Sequence, residues 1–330
     1  MEIQSEQSLE ASDVSRFVRN IVRRPEFVIF SIIIILTAAV SIKQPNFISS
    51  INIVSIVNYI SFTGMIAVPL VLLLVAKMLD MSIGAVTGFL SAVLAVLTKY
   101  LGITPIFAVC LILMFGIIIG FINGFLIVKL NINAFILTLA MMYFYRGLMQ
   151  VIQNGQSITK LPQSLLSVAN ISILGLTLNI YMFVLVAIIG WFVLQKTSFG
   201  KNLYIIGNND VIAKISGINS NRSIWLLYVA MGLVCAICAY FITLQYRVAD
   251  VTTGNGWEFS VTSGCMLGGC SMYGGKGTVL GGVLGIMLMS VITYALQAFN
   301  VVSGYQVAVT GAVLITAVSI DIIRARKISI

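Results

Sequence analysis

The sequence predicts an all-α, polytopic membrane protein with about ten transmembrane helices. Of its 330 residues, 59% are hydrophobic and only 9% are charged, whereas a soluble protein carries about 25% charged residues. Apolar segments near the length that crosses a bilayer as an α-helix, about 20 residues, follow one another along most of the chain. This composition cannot cover the surface of a soluble fold, so we exclude a soluble domain of any size.

The apolar segments divide the chain into two parts. Residues 1–24 are polar and then basic, which predicts a cytoplasmic N-terminal segment, and residues 25–330 form one transmembrane domain. The expected spans are 27–42, 51–76, 82–98, 103–128, 134–152, 172–194, 224–246, 259–273, 278–298 and 303–323. The eighth of these, 259–273, is short and rich in glycine, and it is the weakest prediction of a full span.

The excess of basic residues reflects the orientation of the chain in the membrane and does not indicate a nucleic-acid partner. With the N-terminus inside, ten spans place fourteen Lys and Arg residues in the cytoplasm, whereas four lie outside: Lys43, Lys99, Lys160 and Arg247. This asymmetry predicts that both termini are cytoplasmic. Nine or eleven spans remain compatible with the same count.

The longest basic connection, residues 195–223, is predicted to face the cytoplasm. Asp210 is placed to cap a short helix over residues 211–216, and Gly217 is placed to end it. A short helix in a cytoplasmic loop suits the docking of a partner. An ordinary solvated loop is the alternative.

Two acids lie beside apolar segments, where carboxylates are costly. Asp80 has three possible roles: binding a solute, pairing with Lys77, or capping a helix that begins at Met81. Glu258 follows Trp257, and an acid beside an aromatic ring suits sugar recognition, although Trp is also common at membrane interfaces. Arg146, near one end of its span, either reaches the interface or pairs with an acid.

Glycines recur every fourth residue in two places, which puts them on one face of a helix. This spacing allows two helices to approach closely, so we expect helix packing at Gly116, Gly120, Gly124, Gly277, Gly281 and Gly285.

The chain lacks the residues that membrane enzymes need. It contains no His, and no phosphate-binding loop of the Walker A type is present, because Gly275-Lys276 is followed by Gly277 and not by Ser or Thr. The five cysteines lie in apolar segments and indicate no disulfide framework. We therefore expect a pathway for a small solute and no enzymatic activity.

Four blocks of sequence resemble one family, the permease subunits of bacterial ABC importers for monosaccharides, which include ribose, galactose, xylose and autoinducer-2 permeases. The resemblance runs from about residue 50 to residue 321. Its blocks are LDMSIGAV at Leu79–Val86, the segment Asn123–Gly147, the loop Thr197–Ile218, and the glycine-rich stretch Gly254–Gly285.

This resemblance implies the ABC importer permease fold and a set of partners. These are a cytoplasmic ATPase subunit, a second permease subunit in a homo- or heterodimer, and an extracytoplasmic sugar-binding protein. The permease itself would lie in a bacterial inner membrane. No cofactor is expected on this chain, because ATP and magnesium belong to the ATPase. Transport would occur by alternating access. The resemblance assigns contact with the ATPase to Gly207, Asn208, Asn209, Ala213 and Gly217.

The chain departs from the family pattern at a few positions. Lys77-Met78 replaces a pair of glycines, and Thr262-Ser263-Gly264 replaces Ile-Ala-Ala. The hydroxyls of Thr262 and Ser263 either face the pathway with Asp80 and Glu258 or bond back to helix carbonyls.

Two other functions fit parts of the sequence. A stand-alone secondary carrier would need an ion-coupling site, for which the few acids near the membrane give little support. A membrane scaffold that docks a cytoplasmic protein would use the loop 197–218 alone.

Overall fold

The computed structural model describes residues 25–326, and the N-terminal segment 1–24 predicted to be cytoplasmic lies outside the described residues. Within residues 25–326 the chain forms thirteen α-helices: α1 Pro25–Lys43, α2 Ser50–Val75, α3 Ile83–Ala95, α4 Pro105–Leu130, α5 Ala134–Gln153, α6 Gln163–Leu166, α7 Leu178–Lys196, α8 Ser198–Asn208, α9 Asp210–Ile215, α10 Ser220–Tyr246, α11 Trp257–Leu267, α12 Val279–Ala298 and α13 Ser303–Arg326. A π-helical turn, Val96–Tyr100, extends α3. The predicted all-α, polytopic class is confirmed.

Nine helices in residues 25–326 are long and apolar enough to cross a membrane. The predicted span 259–273 is instead the 11-residue helix α11. It ends early because Gly268 is its C-cap and Gly269, with φ +93°, turns the backbone away from the helix. The glycine-rich segment 268–278 then continues to the side of the protein where α2 ends, since the Gly275 amide donates to the Val75 carbonyl.

The predicted span 172–194 also begins later than expected. Residues Ser172–Ile173 and Leu176–Thr177 pair as the short antiparallel strands β1 and β2. Leu174 and Gly175 both have positive φ at the tip of this hairpin, and such a turn cannot continue a helix. The membrane helix α7 therefore starts at Leu178.

Two sets of helices pack in the same way but run in opposite directions. In the first set, α3 and α4 pack against α10 and α3 packs against α5; in the second, α11 and α12 pack against α2 and α11 packs against α13. The central helices α2 and α10 are antiparallel. The Phe62 carbonyl of α2 accepts from the Cys238 thiol of α10, whereas the Leu79 carbonyl, after the end of α2, accepts from the hydroxyl of Tyr228, which lies earlier in α10. This is the arrangement of an inverted-topology repeat, which in transporters places solute sites between the two halves.

Each set contains one interrupted span, and the two interruptions meet near the middle of the protein. The Ile83 carbonyl, at the start of α3, accepts from the Cys235 thiol, which lies near the middle of α10. Gly84 contacts the backbone of Gly254, three residues before α11. Thus α3 and α11 both begin inside the bundle and run toward opposite sides.

Glycines allow several of these helices to pack at backbone distance. Gly116, Gly120 and Gly124 lie on the face of α4 that contacts α10, where an added Cβ would overlap the Gly232 carbonyl, the Tyr228 carbonyl and the Trp225 ring, respectively. Gly281 and Gly285 of α12 similarly contact the carbonyls of Gly268 and Gly264.

The first glycine of the second predicted ladder differs from the others. Gly277 lies before α12, whose N-cap is Thr278, and it has φ +143°. It therefore belongs to the segment that follows the helix break and not to the packing face of α12. Gly277 is needed for its backbone conformation, which residues with a Cβ rarely adopt.

Candidate functional site

A cavity of about 710 Å³ lies between α5, the loop 247–256 and the first turn of α11. Its polar lining consists of Arg146, Gln150, Thr252, Asn255 and Glu258. The remaining lining is apolar and includes the aromatic rings of Tyr143 and Phe259. A few polar groups on an apolar wall are typical of small-molecule sites.

Glu258 is the acid of this cavity. It lies in the first turn of α11, where the positive end of the helix dipole favours a carboxylate. Only 4% of its surface is exposed. Among the described residues, its Oε2 atom has no hydrogen-bond partner. A carboxylate oxygen that is both buried and unpaired is costly.

Arg146 faces the same cavity from α5. Its Nη1 atom donates to the Thr253 carbonyl at 2.6 Å and so ties α5 to the loop that precedes α11. Its Nη2 atom is buried and has no hydrogen-bond partner in the part of the chain that the structure describes. No ion pair joins Arg146 to Glu258 within residues 25–326. Arg146 and Glu258 therefore both line the cavity, while the unpaired Nη2 and Oε2 atoms themselves are buried.

Glycines of α3 make room for this arrangement. A Cβ on Gly84 would lie 3.0 Å from Glu258 Oε2 and would overlap the Gly254 carbonyl. A Cβ on Gly88 would lie 2.7 Å from the Thr253 carbonyl. Sequence reasoning missed both residues, although their spacing of four is the signal that revealed the glycines of α4 and α12.

Asp80 does not line the cavity. It is buried, and its Oδ1 atom accepts from the Ser82 amide at 2.8 Å and from the Ser82 hydroxyl at 2.6 Å. The helix begins at Ile83 and not at Met81, so Asp80 shapes the turn before α3. No ion pair joins it to Lys77 in residues 25–326.

Thr262 and Ser263 are buried on α11, away from the lining of the cavity. The Ser263 hydroxyl donates to the Phe259 carbonyl at 2.7 Å, which is the bond back to the helix that the sequence left open. The Thr262 hydroxyl has no hydrogen-bond partner among the described residues. Of the four predicted pathway residues, the structure brings only Glu258 to the cavity.

The loop predicted to dock a partner contains two helices, α8 and α9. The cap of α9 is Asn209, whose Oδ1 accepts from the amides of Val211 and Ile212. Asp210, the predicted cap, is the first residue of the helix and pairs with Lys214 at 2.6 Å. The hydrogen bond from Lys214 lowers the pKa of Asp210 below its usual value.

Three of the residues assigned to this loop connect it to the interior. Gly207 is buried against the Val75 carbonyl, and the Asn208 side chain lies against Gly275. Ala213 of α9 is fully buried. The Tyr204 hydroxyl adds a hydrogen bond of 2.7 Å to the Gly277 carbonyl. Contacts of Gly207, Asn208 and Tyr204 thus join α8 to the glycine-rich segment 268–278 that follows α11.

Gly217 ends α9 in a left-handed conformation with φ +76°. Its amide donates to the Lys214 carbonyl, and the Ile218 amide donates to the Ala213 carbonyl, as in a Schellman motif. Apart from its two chain neighbours, no residue that the structure describes has an atom within 4 Å of the position of a Cβ on Gly217. Its backbone conformation, and not lack of space, favours glycine.

Comparison with known proteins places this geometry in a family. Residues 52–318 match the family model described as the permease component of branched-chain amino acid transport systems. The chain belongs to this permease family. No solved structure matches the permease.

Curated relatives of the permease are named for sugars. It is 33% identical to the ribose import permease protein RbsC of Bacillus subtilis, over 87% of this chain and 89% of that protein. It is also 33% identical to the L-arabinose transport system permease protein AraH of Escherichia coli K12, over 89% and 88% of the two chains. An L-arabinose ABC transporter permease of Azospirillum brasilense is 30% identical, over 89% and 86%.

Proposed function

We propose that this chain is the membrane-spanning permease of an ABC importer that carries a monosaccharide or a related small polar solute. The observation that carries this proposal is the cavity at the start of α11, which is lined by the charged residues Glu258 and Arg146 together with amide and aromatic side chains. The sugar names of the ribose and arabinose permeases support the same class of solute.

A separate ATPase supplies the energy in this proposal and docks on α9. Three apolar side chains of this short helix face outward from the protein, those of Val211, Ile212 and Ile215, the last 82% exposed. Apolar side chains on a polar loop favour a protein partner. The sequence also lacks a Walker A loop, so ATP and magnesium belong to that partner.

Alternating access then follows from the contacts of α8. Closure of the ATPase moves α8 and α9, and the contacts of Gly207 and Tyr204 pass this movement to the segment 268–278. Each ligand must bind the two states with different affinity for such coupling to work. A second permease subunit, an extracytoplasmic binding protein, and an inner-membrane location with cytoplasmic termini complete the proposal.

Reconstitution tests the proposed function. The permease is purified with its ATPase and its binding protein and placed in proteoliposomes. We expect uptake of radiolabelled D-ribose or L-arabinose that requires ATP, and no ATP hydrolysis by the permease alone. ATP turnover by the permease alone, or sugar uptake without the ATPase, would contradict the proposal.

Import of a branched-chain amino acid is the second candidate function. The matching family model carries this description, and a zwitterion offers a carboxylate to Arg146 and an ammonium group to Glu258. Uptake of L-leucine in place of the pentoses, in the same proteoliposomes, would favour this function over sugar import.

A further inference from the structure

The segment 268–278 connects α11 to α12, and a few hydrogen bonds fix its shape. Five of its eleven residues are glycine, the residue whose backbone has the greatest conformational freedom. A segment of this composition passes a movement on only where its backbone is held. The groups that hold it therefore determine which helices it can connect.

The helix α13 holds the first part of the segment. The Oδ2 atom of Asp321 accepts hydrogen bonds from the Ser271 hydroxyl and from the Met272 amide, both at 3.0 Å. Hydrogen bonds to a carboxylate are stronger than those between neutral groups. One oxygen of α13 thus binds two consecutive residues of the segment.

Ser271 is also the centre of the turn that follows, and its side chain is buried. Its hydroxyl accepts from the Tyr273 amide, and its carbonyl accepts from the Gly274 amide. Its own amide donates to the Lys276 carbonyl at 3.2 Å. These bonds close the chain into one compact turn, so the bond from Ser271 to Asp321 orients the whole turn.

The helices α2 and α8 hold the second part of the segment. The Gly275 amide donates to the Val75 carbonyl at 2.8 Å, and the Tyr204 hydroxyl donates to the Gly277 carbonyl at 2.7 Å. An added Cβ on Gly207 would overlap both the Val75 carbonyl and the Gly275 amide. The turn therefore joins α8, which leads into α9, to α13.

We propose that Asp321 is a positioning residue for transport, whose carboxylate holds this turn so that movement of α8 reaches α11 and α13. This inference rests on the proposed import function, in which the ATPase docks on α9. It goes further because it adds α13 to the route from the ATPase to the solute cavity and names the side chain that connects it. Without these bonds the glycines absorb the movement, and ATP is hydrolysed with less transport.

The experiment measures pentose uptake and ATP hydrolysis in the same proteoliposomes, with radiolabelled D-ribose or L-arabinose, and compares their ratio between permeases. Asp321→Leu removes the acceptor at nearly constant size. Asp321→Asn removes the charge and keeps an acceptor oxygen, and Ser271→Ala removes one donor. The control is Thr316→Val on the same helix, because the Thr316 hydroxyl donates to the Ala312 carbonyl within α13.

We expect Asp321→Leu to lower the pentose taken up per ATP about ten-fold, the factor that corresponds to a hydrogen bond to a charged group. Asp321→Asn and Ser271→Ala should lower it less, since each keeps part of the contact. Adding Ser271→Ala to Asp321→Leu should have little further effect, because both remove the same bond. In every variant the ATPase should co-purify and hydrolyse ATP near the wild-type rate, and Thr316→Val should have the wild-type ratio.

A wild-type ratio in Asp321→Leu would overturn the inference and leave the import function intact. A parallel loss of uptake and ATP hydrolysis, with an unchanged ratio, would also overturn it, because Asp321 would then serve only the stability of the fold. If Asp321→Leu does not fold, Ser271→Ala decides the result by the same ratio. A wild-type complex that takes up L-leucine and neither pentose would instead overturn the sugar-import function, and the ratio measured with L-leucine would still test Asp321.

Discussion

The backbone of Gly84 lies against the backbone of Gly254, so that an added Cβ on either residue would overlap the other's carbonyl. This contact joins the start of α3 to the loop before α11. It also leaves open the space beside Glu258 Oε2. The two interrupted spans of the permease therefore meet at a point where only glycine fits.

Replacing Gly84 should destabilise the permease. In Gly84→Ala the added methyl group meets backbone atoms that cannot rotate away, and overpacking of this kind costs about 1–3 kcal/mol. We expect a lower temperature of thermal unfolding for the detergent-purified protein. Gly311→Ala, in a helix with open space around the glycine, is the matched control. Equal stability of Gly84→Ala and wild type would show that the two segments separate freely.

The stability of the permease should depend on the charge of Asp250, which lies in the loop 247–256. Hydrogen bonds from Thr252, and a further one from the Ser157 hydroxyl, lower the pKa of this carboxyl below its usual value. A depressed pKa stabilises the fold above the unfolded pKa, near 3.9, and this contribution is lost as the pH falls through the folded value.

The comparison of Asp250→Asn with wild type tests this dependence. We expect the variant to be less stable at pH 7 by less than about 1 kcal/mol, because solvent screens the partly exposed group. The difference should shrink below about pH 4. Thermal unfolding at pH 7, 5 and 3.5 measures it. A difference that grows toward low pH would contradict the assigned hydrogen bonds.

The exposed apolar side chains of α9 should be required for binding the ATPase. Ile215→Asp places a charge on this surface and should reduce co-purification of the ATPase at least about ten-fold, since a buried unpaired charge costs several kcal/mol. Leu174→Asp is the matched control, because Leu174 is 94% exposed at the tip of the β1–β2 hairpin. Normal recovery of the ATPase with Ile215→Asp would remove α9 from the interface.

Substitutions of Gly217 should be ranked by backbone conformation and not by size. A left-handed residue other than glycine costs about 1–2 kcal/mol, and asparagine tolerates this conformation best. We therefore expect Gly217→Asn to keep more pentose uptake than Gly217→Val, at equal amounts of protein in the membrane. Equal loss in both variants would indicate that a partner occupies the space beside Gly217.

Hydropathy and glycine spacing were sufficient to predict the fold class, most of the spans and the glycine face through which α4 packs, but not the helix against which it packs. They placed the end of α11 too late, because an apolar sequence such as residues 259–273 does not show that Gly269 adopts a positive φ. Lys77, which replaces a family glycine, likewise adopts φ +62°, a conformation that its residue type does not predict.

The candidate site was only partly predictable. Glu258 was singled out because an acid among apolar residues is costly wherever it lies. Glu258 and Arg146 line one cavity because the loop 247–256 folds between α5 and α3. No local sequence pattern predicts how this loop folds. Asp80 is also an acid among apolar residues, yet its carboxylate accepts hydrogen bonds from Ser82. Burial alone therefore does not separate a structural acid from one that faces a solute.

Filling the cavity is the most direct test of the central claim that the solute passes beside Glu258 and Arg146. Gly147 lines the cavity on α5, and among the described residues outside its own helix turn no atom lies within 4 Å of the position of its Cβ, so Gly147→Leu adds an apolar side chain that begins in open space. We predict that pentose uptake in proteoliposomes falls at least about ten-fold, that the ATPase still co-purifies, and that Gly311→Leu transports normally. Uptake by Gly147→Leu at the wild-type rate would contradict the claim, because the solute would then cross the membrane by another route.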